Sequence, residues 1–263
     1  MRYLCIDTAV GATVAIMEKQ ECLTHHSTAS ARHHAERTTQ LIRQCVHDCD
    51  AQSLADVGLD AIVVGTGPAP FTGLRAGLVT ARTLGYSLNI PVYGMCSLDG
   101  VAYRSLCDGT VTNTHQQWSY PEGAPTRLHI PAGQSVLTLS DARRKEVYCA
   151  AYTCRDNYAY PLMAPTVLTP EDAVALAVEK DISTIIAAIA NEDSCVWHAD
   201  ELPKFLHSVV DASPSDMKLY VSQCYASDLG QAWWARYPQR GQDGNRDTAP
   251  LYLRRPDIHG QPA

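Results

Sequence analysis

One stretch of the chain, residues 65–75 with the sequence Gly-Thr-Gly-Pro-Ala-Pro-Phe-Thr-Gly-Leu-Arg, constrains the fold most strongly. The apolar run 60–64 before it predicts a short strand, and residues 73–88 predict a helix capped by Thr72. In a strand–loop–helix unit of this kind, backbone N–H groups and the positive end of the helix point to one position, which favours binding of an anion there. The loop lacks the Gly-Lys-Ser/Thr of a P-loop and the Gly-x-Gly-x-x-Gly of a dinucleotide site, so by itself it favours a tight turn in an α/β core.

A similar order of elements is predicted twice along the chain. In the first hundred residues, strands are predicted at 2–7, 12–18, 21–27, 61–64 and 91–93, and helices at 34–49, 73–88 and 97–106. Further on, strands are predicted at 135–140, 146–153, 163–168 and 183–189, with a helix at 170–179 that Thr169 caps and another at 225–237. We therefore expect an α/β fold of two duplicated βββαβα-type halves, with strands 61–64 and 91–93 paired in parallel.

This order divides the chain into two halves and three further segments. The predicted units are a first half at 1–107, an irregular insertion at 108–134, a second half at 135–223, a helix with a closing segment at 224–253, and a tail at 254–263. The segment 224–253 is expected to pack back on the first half.

Composition excludes several classes of function. A chain of 263 residues with 46% hydrophobic residues can bury one or two cores. Its net charge of −7 and its lack of a basic block argue against strong direct binding of nucleic acid. We expect neither a signal peptide nor a membrane span, and hence a cytoplasmic protein. Ten cysteines without Cys-x-x-Cys spacing favour buried reduced thiols over a metal site or a disulfide framework.

Several motifs together carry a family resemblance. Ile6-Asp7-Thr8-Ala9 ends the first strand, and Arg32-His33-His34-Ala35-Glu36-Arg37 opens the first helix. The glycine-rich loop is followed by Ser97-Leu98-Asp99, then by Asp141-Ala142-Arg143 with Glu146-Val147-Tyr148, and at the end by Pro250-Leu251-Tyr252-Leu253-Arg254. Together they resemble the TsaB (YeaZ) family of bacterial tRNA-modification proteins. Ala69 and Pro70 replace a Gly and a Ser of that family, and an added Cβ and a lost N–H make the loop a poorer phosphate cradle.

The resemblance implies both a fold and a function. The implied fold is the actin-like (acetate/sugar kinase–Hsp70–actin) fold. The implied function is that of a non-catalytic subunit, which binds and activates the paralogue TsaD in forming threonylcarbamoyladenosine in tRNA, together with the ATPase TsaE. The resemblance leaves a homodimer as a further possibility, and it implies that tRNA is bound only through the complex. The alternative is a stand-alone ATPase or small-molecule kinase of the same fold.

A stripe of small residues on the helix at 73–88 predicts close packing. Gly73, Gly77, Ala81 and Gly85 are spaced by four residues, and each glycine costs the helix about 1 kcal/mol relative to alanine. In the family, this helix and the preceding one meet TsaD or a second copy. The resemblance therefore implies a partner surface lined or supported by these residues and by Leu41, Ile42, Val46, Leu74 and Leu78. The alternative is that the stripe meets the chain's own sheet or the preceding helix.

A catalytic site of the chain's own is not expected. The His-x-x-x-His metal pair of TsaD-like subunits is missing, since His33 and His34 are adjacent, so we predict no metal. Asp7 and Thr8, and in the second half Asp141 and Arg143, are candidates for a vestigial or shared nucleotide site. Glycines that would let phosphate approach are absent there, so turn-forming aspartates are the favoured interpretation. We expect no cofactor of its own, with ATP or ADP only at an interface shared with the partner.

Overall fold

The fold is taken from a computed structural model. The structure describes residues 1–28, 34–108, 110–113, 126–127, 130, 133–155, 158–189, 203–240 and 246–253. Arg32 and His33 of the predicted first-helix motif, Trp118 and Cys195 lie outside these residues, as do the tail residues 254–263.

The first half is a mixed sheet covered by helices. Its elements are β1 (Arg2–Asp7), β2 (Ala12–Glu18), β3 (Glu21–Thr28), α1 (His34–Asp48), β4 (Ala61–Gly65), α2 (Phe71–Leu88), β5 (Val92–Met95) and α3 (Ser97–Tyr103), which continues into a π-helical turn (Arg104–Asp108). The strand order is β3-β2-β1-β4-β5. β1 pairs antiparallel with β2 and parallel with β4, and β4 pairs parallel with β5, which confirms the predicted crossover.

The second half repeats this order. Its elements are β8 (Ser135–Arg143), β9 (Glu146–Arg155), β10 (Tyr158–Pro161), β11 (Thr166–Leu168), α4 (Pro170–Glu179), β12 (Thr184–Ile189), α5 (Lys204–Ala212), β13 (Lys218–Gln223) and α6 (Ala226–Arg240). The order β10-β9-β8-β12-β13 matches that of the first sheet, with antiparallel hairpin strands on one side and parallel strands on the other. Thr169 caps α4 by accepting the Asp172 N–H at 3.1 Å, as predicted.

Side chains point alternately to the two faces of each sheet, so the two faces belong to different hydrophobic cores. In β1, Leu4 and Ile6 pack under α1 and α2, whereas Tyr3 and Cys5 face α3 and α6. The inner face of the second sheet joins this same central core, and its outer face is covered by α4 and α5. The layers are therefore α1/α2, first sheet, α3/α6, second sheet and α4/α5.

Buried charges link the two halves in the central layer. Asp99 of α3 accepts a hydrogen bond from the Tyr152 hydroxyl of β9 at 2.6 Å and pairs with Arg236 of α6. Arg104 pairs with Asp228 of α6 at 3.3 Å. One ion pair joins α3 to α6, and the other joins the π-helical turn after α3 to α6. Tyr152 connects Asp99 to the second sheet.

The main departures from the predicted elements lie at segment ends and in the second half. Within the predicted irregular insertion, Thr110–Asn113 (β6) pairs antiparallel with β13, and Thr126–Arg127 (β7) pairs with β6. The elements α5, β13 and β10 were not predicted. Among the described residues, no helix combines the length and apolar character that a membrane crossing requires.

Candidate functional site

The end of β1 holds a fully buried carboxylate. Asp7 is 1% exposed, and its Oδ1 accepts the Ala9 N–H at 2.7 Å, which is the turn-forming role favoured by the sequence. Its Oδ2 and the Ser97 Oγ lie beside Gly65 and form no hydrogen bond of ordinary geometry with any described residue. Burial raises the pKa of Asp7 from its usual 3.8 to about 6, although the Ala9 N–H and the nearby Ser97 hydroxyl lower it.

Gly65 permits this approach because a Cβ there would overlap the Asp7 carboxylate. The rest of the glycine-rich loop is held by backbone contacts. Gly67 has φ +87°, a conformation that favours glycine, and its carbonyl accepts the Ser97 N–H at 2.8 Å. The helix α2 begins at Phe71 with Pro70 at the N-cap, which corrects the prediction of Thr72 as the cap. The hydroxyl of Thr8 donates to the Gly73 carbonyl at 2.8 Å, so it secures the first turn of α2 from inside the core.

The corresponding aspartate of the second half is tied to its own turn. Asp141 Oδ1 accepts the Arg143 N–H at 2.7 Å, and its Oδ2 lies 3.2 Å from the Arg143 guanidinium. Arg143, Arg144 and Lys145 all have positive φ, between 51° and 65°, in the turn between β8 and β9. This turn adopts left-handed backbone angles without a glycine. The hydrogen bond from the Arg143 N–H to Asp141 agrees with the favoured interpretation of Asp141 as a turn former.

The nine residues predicted to line or support a partner interface are all buried in this chain's own interior. They are Leu41, Ile42, Val46, Gly73, Leu74, Gly77, Leu78, Ala81 and Gly85. A Cβ on Gly77 would meet Thr8, and one on Gly85 would meet Val92, so the glycine stripe lets α2 approach its own sheet. The prediction that these side chains contact a partner directly is therefore corrected, because they have almost no exposed surface.

The opposite face of α2 is exposed and partly apolar. Arg75, Val79, Arg82 and Tyr86 lie on one side of the helix, and Val79 and Tyr86 are 61% and 91% exposed. We call these four residues the α2 ridge. Of the exposed large apolar side chains in the described part of the chain, Tyr86 has the largest exposed fraction.

The closing segment 246–253 runs along this ridge. The Arg82 guanidinium donates to the Thr248 hydroxyl at 2.8 Å and to its carbonyl at 2.7 Å. The Arg75 guanidinium donates to the Tyr252 hydroxyl at 2.9 Å and stacks on Phe71, 3.6 Å from the ring centroid. The Leu251 N–H donates to the Thr66 carbonyl at 2.8 Å, so the segment also fixes the glycine-rich loop.

Asp7 and Asp141, the two candidate acids, each bind a neighbouring backbone N–H, and no described group of three metal-ligating side chains converges. Sequence reasoning missed the α2 ridge and the unsatisfied hydroxyl of Ser97. The spacing 75, 79, 82 and 86 could have identified the ridge, since it is the face opposite the glycine stripe.

Comparison with known proteins identifies the family. A family model described as TsaD: tRNA N6-adenosine threonylcarbamoyltransferase matches residues 25–116. An uncharacterized protein of Mycobacterium tuberculosis is 32% identical over 97% of this chain and 92% of its own. The tRNA threonylcarbamoyladenosine biosynthesis protein TsaB of Bacillus subtilis is 25% identical over 69% of this chain and 68% of its own, and that of Escherichia coli is 29% identical over 60% and 57%. This chain belongs to the TsaB family.

The fold of this TsaB-family chain is also that of a solved structure. YeaZ from Pseudomonas aeruginosa superposes with a TM-score of 0.67 over 96% of this chain and 99% of its own, at 20% identity. Such identity supports the fold alone. The fold class is thereby confirmed as actin-like α/β with two repeated halves.

Proposed function

We propose that this TsaB-family protein is a non-catalytic subunit that supports tRNA N6-threonylcarbamoyladenosine formation by binding and activating a TsaD-like subunit. A TsaE-like ATPase would be the third member, and tRNA would be engaged only through the complex. The α2 ridge carries this proposal, because it exposes Val79 and Tyr86 on a helix whose other face is fully committed to the core. Since tRNA is the substrate, we expect the protein to act in the cytoplasm.

The contact surface would combine the ridge with the closing segment. Arg75 and Arg82 are held against Tyr252 and Thr248, which limits their rotamers before any partner arrives. Fixing side chains in advance lowers the entropy cost of association. Aromatic residues and arginines often contribute most of the binding free energy of a protein interface, and this surface has both. The glycine stripe beneath would support this face by seating α2 close to the sheet.

In this proposal, the chain does not hold a nucleotide through its own two candidate acids. Asp7 is buried and turned to the Ala9 N–H, and Asp141 is paired with Arg143, so neither is poised to hold a hydrated magnesium ion. We infer that any ATP or ADP binds at the interface with the partner. A homodimer through the same ridge would compete with the TsaD-like subunit, because both would cover Val79 and Tyr86.

The decisive experiment uses matched lysine substitutions on exposed valines. We expect Val79→Lys to weaken binding to the cognate TsaD-like protein at least tenfold and to lower tRNA threonylcarbamoylation in proportion. Val178→Lys on α4, where the valine is 55% exposed, is the control and should leave both unchanged. Calorimetry measures binding, and modified nucleoside from digested tRNA measures activity.

Three outcomes would overturn the proposal. One is undiminished binding by a folded Val79→Lys protein. Another is equal loss with Val178→Lys, which would place the contact elsewhere. The third is ATP turnover or tRNA modification by this chain alone, which would favour the stand-alone enzyme.

A further inference from the structure

Two cysteine side chains approach each other where the halves of the fold meet. Cys107 lies in the π-helical turn that follows α3, and Cys154 lies near the end of β9. Their Sγ atoms are 4.0 Å apart, and both side chains are half-buried. The nine described cysteines form no disulfide. Five of them are only half-buried, which corrects the expectation that the thiols are buried throughout.

We propose that Cys107 and Cys154 form a reversible, peroxide-sensitive disulfide that joins the two halves of the protein. The two sulfur atoms must approach by about 2 Å to reach the disulfide bond length of about 2.05 Å. Rotation of two side chains on elements that already contact each other can supply most of that distance.

The other described cysteines are protected by their surroundings. Burial raises the pKa of the Cys5, Cys96 and Cys224 thiols, and it also raises that of Cys22, Cys45, Cys49 and Cys149. The thiolate is the nucleophile in oxidation, so a raised pKa lowers reactivity at neutral pH. Selectivity for one pair then follows from proximity and from protection of the rest.

The reaction balances with hydrogen peroxide as the oxidant. One thiolate attacks a peroxide oxygen and becomes a sulfenic acid, and the departing hydroxide takes up a proton to form water. The second thiolate attacks the sulfenic sulfur, forms the S–S bond and expels the hydroxyl group as a second water. The protein loses two hydrogen atoms and two electrons, and an added dithiol reverses the step by exchange.

The cross-link would restrain the unfolded chain across a separation of 47 residues. It would also add a covalent link to the contacts that Asp99 makes with Tyr152 and Arg236 between the halves. Closing a loop of this length raises the midpoint of thermal unfolding by about 5–10 °C if the native geometry is not strained.

The test oxidises the full chain with a small molar excess of hydrogen peroxide. Peptide mapping should find a Cys107–Cys154 linked pair lighter by two hydrogen atoms, the thiol count should fall by two, and the unfolding midpoint should rise. Dithiothreitol should restore all three. Cys107→Ser and Cys154→Ser should each abolish the link and the rise, while Cys49→Ser, the matched control, should retain both.

Other products would overturn the proposal. These are disulfide-linked dimers, a bridge that uses Cys195 or another cysteine, or sulfinic acid at a single site without a bridge. A wild-type midpoint that does not rise on complete bridging would refute the predicted stabilisation by the cross-link.

Discussion

The buried Asp7 predicts an unusual pH dependence of stability. Its pKa is about 6 in the folded protein, against an ordinary 3.8 when the chain unfolds. Between these values the folded state binds the extra proton, so this group's contribution to stability is complete below pH 3.8 and is lost as the pH rises through 6. At 1.36 kcal/mol per pH unit, the difference corresponds to a cost of about 3 kcal/mol at pH 7.

Asp7→Asn should remove this cost. The amide oxygen can still accept the Ala9 N–H, and the amide nitrogen can donate to the Ser97 hydroxyl nearby. We expect the variant to be more stable than the wild type by up to about 3 kcal/mol at pH 7.5. The two proteins should become equal near pH 4. The measurement is urea unfolding followed by circular dichroism at one-unit steps from pH 4.5 to 7.5.

Asp141→Asn is the control, because Asp141 is only half-buried and is paired with Arg143. Its stability difference from the wild type should not follow the Asp7 profile. Loss of stability in Asp7→Asn at pH 7.5, or a difference that does not change with pH, would refute the reasoning. A difference that does not change with pH would mean that folding does not raise the pKa of Asp7.

Two further predictions test the packing of the helices. Gly77→Ala would place a Cβ in overlap with the Thr8 hydroxyl oxygen, so we expect a loss of about 1–3 kcal/mol in the free energy of unfolding despite the better helix propensity. A double-mutant cycle checks this cause, because adding Thr8→Ala should recover part of the loss. A Gly77→Ala variant as stable as the wild type would contradict the prediction. Thr169→Ala removes the side-chain acceptor of the Asp172 N–H and should cost about 1 kcal/mol in urea unfolding, whereas an unchanged midpoint would show that the cap contributes nothing.

Local patterns predicted much of the first half and the start of one helix in the second. The strands β1 and β2 were predicted with their observed ends, and Thr169 was predicted as a cap, because strand periodicity and capping depend on neighbouring residues. The family motifs gave the fold class and the family. The β6 strand was missed because Thr110–Asn113 becomes a strand through its pairing with β13 and β7, which are distant in sequence.

The candidate site divides in the same way. The turn-forming roles of Asp7 and Asp141 were favoured by the sequence, since both involve hydrogen bonds to a backbone group two residues away. The spacing of the glycine stripe predicted close packing of α2 but left three possible partners, which were the chain's own sheet, the preceding helix and another protein. The structure places Thr8 and Val92 against it.

What the sequence by itself determined is therefore the order of elements in the first half, the family, and the binding of Asp7 and Asp141 to backbone N–H groups two residues away. What only the tertiary structure decided is which face of α2 is exposed, which hydroxyl lies near Asp7, and which two of the nine described cysteines approach each other. The physical reason is distance along the chain. Periodicity and capping act within a few residues, whereas Ser97 lies 90 positions from Asp7 and meets it only when β1, β4 and α3 are assembled.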